Sequence, residues 1–125
     1  MANLKPFISR SEIETIVARL GKQIENDYKT KVTKDSKLIF IVTLKGAILF
    51  AADLFRNINM PYEIDFTRVS SYGKGTQSSG QVALIKEIEI SIENHHVIML
   101  DEIVDSGRTI QFLCEKYSKQ NPKSL

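Results

Sequence analysis

Among 125 residues there is a single cysteine, Cys114, and little excess of either charge: seventeen Lys and Arg face fifteen Asp and Glu, a formal net charge of +2. One thiol rules out an intramolecular disulfide. Near-balanced charge is far from the basic excess of a dedicated nucleic-acid binder, so any anion site has to be local. Long hydrophobic runs are also missing. The longest apolar block, residues 46–52, is bounded by Lys45 and Asp53 and falls well short of the ~18 residues needed to cross a bilayer. The opening MANLKPFISRSEIE lacks an apolar stretch between a basic head and a small-residue cleavage site, which argues against secretion and for a cytoplasmic address. What is present, 42% apolar and 26% charged residues, describes one globular domain over 1–125 with no internal repeat and no linker. A chain of this size can bury a core without disulfide staples.

Ile13, Ile16, Val17, Leu20, Ile24 and Tyr28 recur at three- and four-residue steps, which predicts an amphipathic helix over 11–29 with Ser11 and Glu14 as its capping box. Residues 37–44 (KLIFIVTL) are apolar with almost no alternation, as in a central strand covered on both faces. A helix over 46–58 follows, closed by Asn59 and Pro61. Residues 62–69 alternate Tyr62, Ile64 and Phe66 against Glu63, Asp65 and Thr67, which suits a strand with one wetter face nearer the sheet edge. Residues 82–86 read as another strand, 96–101 (HVIMLD) as a second buried central strand, and 106–119 as a helix. This order predicts an α/β fold, an open, mostly parallel sheet flanked by helices, with ligands held beyond the carboxyl ends of the strands. The stretch 70–81, SSYGKGTQSSGQ, holds three of the six glycines and cannot pack a core; it is expected to be a flexible lid or binding loop. The closing SKQNPKSL is polar and reads as unstructured.

Chemistry concentrates in residues 97–109, VIMLDEIVDSGRT, where an apolar strand runs into Asp101 and Glu102, then Asp105, then Ser106-Gly107-Arg108-Thr109 at a helix start. Unpaired backbone N–H groups and the positive end of the helix dipole suit an anion, and Gly107 lets the backbone approach it. The Ser106 and Thr109 hydroxyls add donors, and Arg108 raises the local potential. Three carboxylates beside an anion site call for ribose hydroxyls to accept from, or for a divalent cation; a phosphorylated sugar with Mg²⁺ satisfies both. The bland alternative is a capped helix start with solvated acids. Other signals fail. Lys74 lacks the preceding glycine spacing of a Walker loop, and Gly73-x-Gly75 has Ser78 where a dinucleotide fingerprint needs a third glycine. His95 and His96 are adjacent at a strand entry and point apart, and Cys114 reads as a buried structural thiol beside Ile110 and Leu113.

Residues 97–109 resemble the phosphoribosyl-diphosphate motif of the type I phosphoribosyltransferases: a strand, two acids, two apolar residues, then Asp-Ser-Gly-x-Thr. Leu44-Lys45-Gly46-Ala47 after the first core strand and Ser71-Tyr72-Gly73 at the glycine-serine loop match in the right order, a pattern similar to the hypoxanthine and hypoxanthine-guanine phosphoribosyltransferases of purine salvage. The resemblance implies that fold and an Mg²⁺-dependent transfer of phosphoribosyl from 5-phosphoribosyl 1-diphosphate to hypoxanthine or guanine. It assigns Lys45 and Gly46 to a pyrophosphate loop whose peptide is often cis, and Asp101 and Glu102 to ribose-hydroxyl and metal-associated acids, the metal reached in part through water. It makes Asp105 the general base, Asp105 to Thr109 the 5-phosphate cradle, and Ser71 and Tyr72 part of a lid hinged at Gly73, Gly75 and Gly80.

Most members of that family have Glu before Asp where this sequence has Asp101 before Glu102, so the two roles are open to exchange. They also continue with a further core strand, a purine-recognising lysine, a stacking aromatic and another metal-associated acid, none of which appears by Leu125. The expectation is therefore a C-terminally incomplete sheet carrying a phosphoribosyl-diphosphate half-site and lacking most of a purine site. An open sheet edge predicts self-association, and the resemblance implies a homodimer or homotetramer with the Lys45 loop near the contact. The rival reading is a non-catalytic module of the same superfamily that binds the phosphorylated sugar or regulates by contacting RNA; the weak basic excess disfavours RNA.

Overall fold

The computed structural model describes residues 3–72 and 81–125. Its elements run α1 (Arg10–Tyr28), β1 (Leu38–Thr43), α2 (Ile48–Phe55), β2 (Glu63–Tyr72), β3 (Gln81–Lys86), β4 (His96–Leu100) and α3 (Arg108–Ser118). The four strands form one sheet in the order β3-β2-β1-β4. β1 lies parallel to both neighbours, with Thr43 opposite Thr67 of β2 and Val42 opposite Leu100 of β4, while β2 and β3 are antiparallel.

The unbroken burial of Leu38 to Thr43 shows why β1 carries no alternation: apolar layers cover both of its faces. Leu38, Phe40 and Val42 point into a cluster with Val17, Ile24, Ala51 and Leu54 from α1 and α2. Ile39 and Ile41 point the other way, onto Leu113 and Tyr117 of α3 and onto Ile88 and Ile92 of the segment before β4. That segment is anchored by buried Asp65, whose carboxylate accepts the backbone N–H groups of Phe66 (2.7 Å), Glu89 and Ile90 (2.6 and 3.0 Å). Burial alone would raise the Asp65 pKa, but the donors at Ile90, Phe66 and Glu89 together with the Lys86 charge outweigh it and hold the carboxyl below its usual range. Thr67 donates to the Lys86 carbonyl at 3.0 Å; its one proton being used there, the Tyr117 hydroxyl at 2.8 Å is the donor to it.

Several local expectations are corrected. The helix is capped by Ser9, whose Oγ accepts the Glu12 amide at 3.1 Å, because the Ser-x-x-Glu spacing is met first at 9–12; Ser11 instead lies in the first turn, where its carbonyl accepts the Thr15 hydroxyl. Ile13 and Ile16 share the apolar stripe yet stay about half exposed, because α2 covers α1 only from Val17 onward, with Gly21 tight against Asn57. β2 is interior and β3 forms the edge beside it; β4, expected to be central, is paired among the described residues of the sheet only with β1. Residues 70–72 and 81, placed in the loop by composition, continue the β2–β3 ladder to Tyr72 opposite Gln81. The tail is not unstructured: Val97 donates to the Ser124 carbonyl (2.9 Å), Lys123 to that of His95 (2.7 Å), and the Ser124 hydroxyl meets His96 Nδ1 at 2.7 Å. His95 and His96 do stand at a strand entry, His95 Nδ1 accepting the Lys37 amide, while Cys114 is half-buried rather than buried.

Candidate active site at the β1/β4 switch point

β1 sends its chain through α2 to β2 on one side, whereas β4 docks on its other side, so the sheet's switch point lies between β1 and β4. The Lys45 loop leaves the carboxyl end of β1, and the acid-rich stretch leaves the carboxyl end of β4. Parallel register therefore brings two segments about sixty residues apart side by side. β2 ends on the same side, running five residues past Thr67, which takes the backbone of Ser71 and Tyr72 roughly 15 Å beyond the end of β1. The Ser71 and Tyr72 side chains, and residues 73–80 with Gly73, Gly75 and Gly80, lie outside the described residues.

Lys45 and Gly46 are exposed, and the Leu44–Lys45 peptide is cis, as the resemblance implied. The Lys45 carbonyl accepts the Ile48 amide at 3.2 Å, starting α2. Gly46 is needed for close approach: a Cβ there would come within 1.6 Å of Glu102 Oε2. The Glu102 carboxylate thus leans across onto the Lys45 loop. Asp101 turns inward instead; its Oδ1 accepts the Thr43 hydroxyl at 2.7 Å and the Glu102 amide at 2.8 Å.

Beyond the acids, Asp101 and residues 103–110 line a small cleft of about 90 Å³. Asp105, Ser106 and Arg108 are exposed around it, and Gly107 and Thr109 are half-buried. Gly107 serves the backbone torsion more than close approach: its φ is +81°, and a Cβ there would meet nothing within 4 Å. Gly107, not Ser106, is the N-cap of α3, and it supplies no side-chain cap. Ser106 Oγ accepts the Arg108 amide at 3.5 Å, and the first i to i−4 bond runs from Gln111 to the Gly107 carbonyl. The Thr109 and Ile110 amides ahead of it have no partner within the helix.

No group of three or more His, Cys, Asp or Glu side chains among the described residues is placed to hold a metal ion by itself. Asp101 and Glu102 nonetheless fit Mg²⁺, which takes one or two carboxylates and completes its shell with water and substrate phosphate oxygens. A larger groove of about 540 Å³ opens at the opposite, amino-terminal ends of β1 and β2, where Lys37 and Glu63 pair at 2.7 Å; it contains none of the candidate site residues. Among the described residues no helix is long and apolar enough to cross a membrane.

The model of the phosphoribosyl transferase domain matches residues 9–125. The hypoxanthine phosphoribosyltransferase of Buchnera aphidicola is 39% identical over 122 residues, covering 98% of this chain and 67% of that protein. The chain belongs to the hypoxanthine phosphoribosyltransferases of the type I phosphoribosyltransferase family. The hypoxanthine-guanine phosphoribosyltransferase of Mycobacterium tuberculosis strain H37Rv is 40% identical over 120 residues, covering 95% of the chain and 59% of the relative. Among solved structures, a hypoxanthine-guanine phosphoribosyltransferase from Bacillus anthracis superposes with a TM-score of 0.85 at 36% identity, covering 100% of this chain and 71% of that one. A hypoxanthine phosphoribosyltransferase from Trypanosoma cruzi gives 0.87 at 39% identity, with 97% and 65% covered. The chain thus spans 59% to 67% of the length of these two curated relatives.

Sequence reasoning missed one residue of this site, Thr43. The signal was present: a lone hydroxyl ends the aliphatic run LIFIVT, one step past Val42, which pairs with the residue before Asp101.

Proposed function

We propose that this chain forms the phosphoribosyl-diphosphate half of a purine salvage transferase, which moves the 5-phosphoribosyl group from 5-phosphoribosyl 1-diphosphate to hypoxanthine or guanine and releases pyrophosphate. The reading is carried by one observation: two loops suited to anions meet at the switch point, with Glu102 against Gly46 and the α3 start beside them. The backbone at the start of α3, with the Ser106 and Thr109 hydroxyls and the Arg108 charge, holds the 5-phosphate. Asp101 accepts from the ribose hydroxyls. Lys45 and the Gly46 backbone take the pyrophosphate, and Ser71 and Tyr72 belong to a lid that closes over it and excludes water.

Asp105 is exposed at the rim of the cleft and acts as the general base. As a purine ring nitrogen bonds to the anomeric carbon, its proton passes to the Asp105 carboxylate. The bond from that carbon to the pyrophosphate oxygen breaks, and its electron pair leaves with pyrophosphate. Asp101 and Glu102 would hold Mg²⁺, partly through water, and the ion supplies neutralisation of the diphosphate charge. Self-association as a homodimer or homotetramer belongs to the same reading, supported by Leu49, an apolar side chain 76% exposed at the start of α2 beside the Lys45 loop.

A coupled assay for inosine monophosphate, run on this chain and on one continued with a purine-recognising segment, tests the reaction. Asp105→Asn should lower turnover by roughly a hundredfold or more while 5-phosphoribosyl 1-diphosphate still binds. Equal loss of binding would remove Asp105 from the role of base.

A further inference from the structure

Resting on that reading of the site, we propose that Thr43 is a positioning residue that presents Asp101 to the sugar. Thr43 is 5% exposed at the last position of β1, and its Oγ1 lies 2.7 Å from Asp101 Oδ1 and 3.0 Å from the Leu100 carbonyl. A hydroxyl has one proton to give, and the charged acceptor at the shorter distance takes it. Oδ1 also accepts the Glu102 amide at 2.8 Å. Two donors converging on one oxygen fix the plane of the carboxylate, and no other hydrogen bond among the described residues reaches Oδ2. Asp101 therefore offers a single oriented oxygen to a hydroxyl donor, instead of a freely turning carboxylate.

The geometry also accounts for a short acid at this position. Aspartate has one methylene, so with its oxygen tied to Thr43 it stays against the end of β1; glutamate, one methylene longer, would overshoot that hydroxyl. Glu102, the longer of the two, reaches the Lys45 loop instead. Thr43 thus hydrogen-bonds the acid that receives sugar hydroxyls, whereas Glu102 packs against the loop assigned to pyrophosphate.

This separation makes the test selective. Calorimetric titrations with Mg²⁺ present would compare 5-phosphoribosyl 1-diphosphate, whose hydroxyls would meet Asp101 directly, with inorganic pyrophosphate, which has no hydroxyls and would feel that carboxylate only through metal-bound water. Thr43→Val, which keeps the side-chain shape, should weaken 5-phosphoribosyl 1-diphosphate binding about tenfold and leave pyrophosphate within about twofold. Thr43→Ser, which restores the hydroxyl, should bind both ligands as the parent does. In an Asp101→Asn background, Thr43→Val should bring little further loss. If the parent binds 5-phosphoribosyl 1-diphosphate and Thr43→Val binds it equally, the positioning role is wrong while the site stands. If Val and Ser weaken both ligands alike, Thr43 acts through packing alone, which also overturns the proposal. A parent that binds neither ligand overturns the site and the proposal together.

Discussion

Gly46→Ala separates the stability of the fold from the integrity of the site. Gly46 does not have a positive φ, so alanine meets no backbone strain, and restricting the unfolded chain stabilises by about 0.4–1 kcal/mol. The added Cβ would lie 1.6 Å from Glu102 Oε2 and 2.5 Å from its carboxyl carbon, so the carboxylate has to retreat by roughly 2 Å to reach ordinary contact. Glu102 is exposed and the clash is with the far end of its side chain, so a rotamer change relieves it at a cost of about 0.5–1.5 kcal/mol. The two effects nearly cancel. Thermal unfolding should shift by no more than a few degrees, whereas affinity for Mg²⁺ with 5-phosphoribosyl 1-diphosphate should fall about tenfold, since the acid is displaced from its place beside the Lys45 loop. A Gly46→Ala/Glu102→Ala pair should bind no more weakly than Glu102→Ala alone. A large loss of thermal stability in Gly46→Ala that persists in the pair would show that the new methyl meets something other than Glu102 and refute the reasoning.

Gly21→Ala provides the contrast, because its Cβ would meet backbone: the Asn57 carbonyl oxygen at 2.6 Å and carbon at 3.0 Å. Prising α1 from α2 outweighs the gain in helix propensity, so denaturant unfolding should show a net loss of about 1–2 kcal/mol without change at the site. Asp65→Asn leaves at least one of three part-buried amide donors without its carboxylate partner and should cost about 1–2 kcal/mol at neutral pH. Because the folded pKa of Asp65 is lowered, its contribution is complete above roughly pH 4 and drains away as pH falls through the folded value, so the parent and Asp65→Asn should converge in acid. His96 behaves differently: burial first, then the charges of Lys123 and Lys31, lower its pKa, so protonation below about pH 6.5 favours the unfolded form. The protection factor of the Val97 amide, bonded to the Ser124 carbonyl, should fall between pH 7 and pH 5. His96→Asn should flatten that dependence; an unchanged slope would assign it to another group.

The local signals are legible in the order of residues alone. Unbroken apolar runs at LIFIVT and HVIML mark strands with little exposure because burial on both faces leaves no position for alternation. The helix of 11–29 was legible from its stripe, displaced by one residue because Ser9, not Ser11, completes the cap. The Asp-Ser-Gly-x-Thr turn was legible because a left-handed glycine before a helix is a local demand of the chain. Which segments lie side by side is set by packing in three dimensions. Nothing in a one-dimensional pattern states that β4 docks against β1, yet that register places Thr43 under Asp101 and Glu102 on Gly46. Likewise Ile13 and Ile16 satisfy the helical period but lie beyond the reach of α2, and the polar tail acquires structure only because the start of β4 offers unpaired backbone groups to Lys123 and Ser124. Periodicity and capping are set within a few residues of chain, whereas strand partnership is settled by packing that closes loops of about sixty residues.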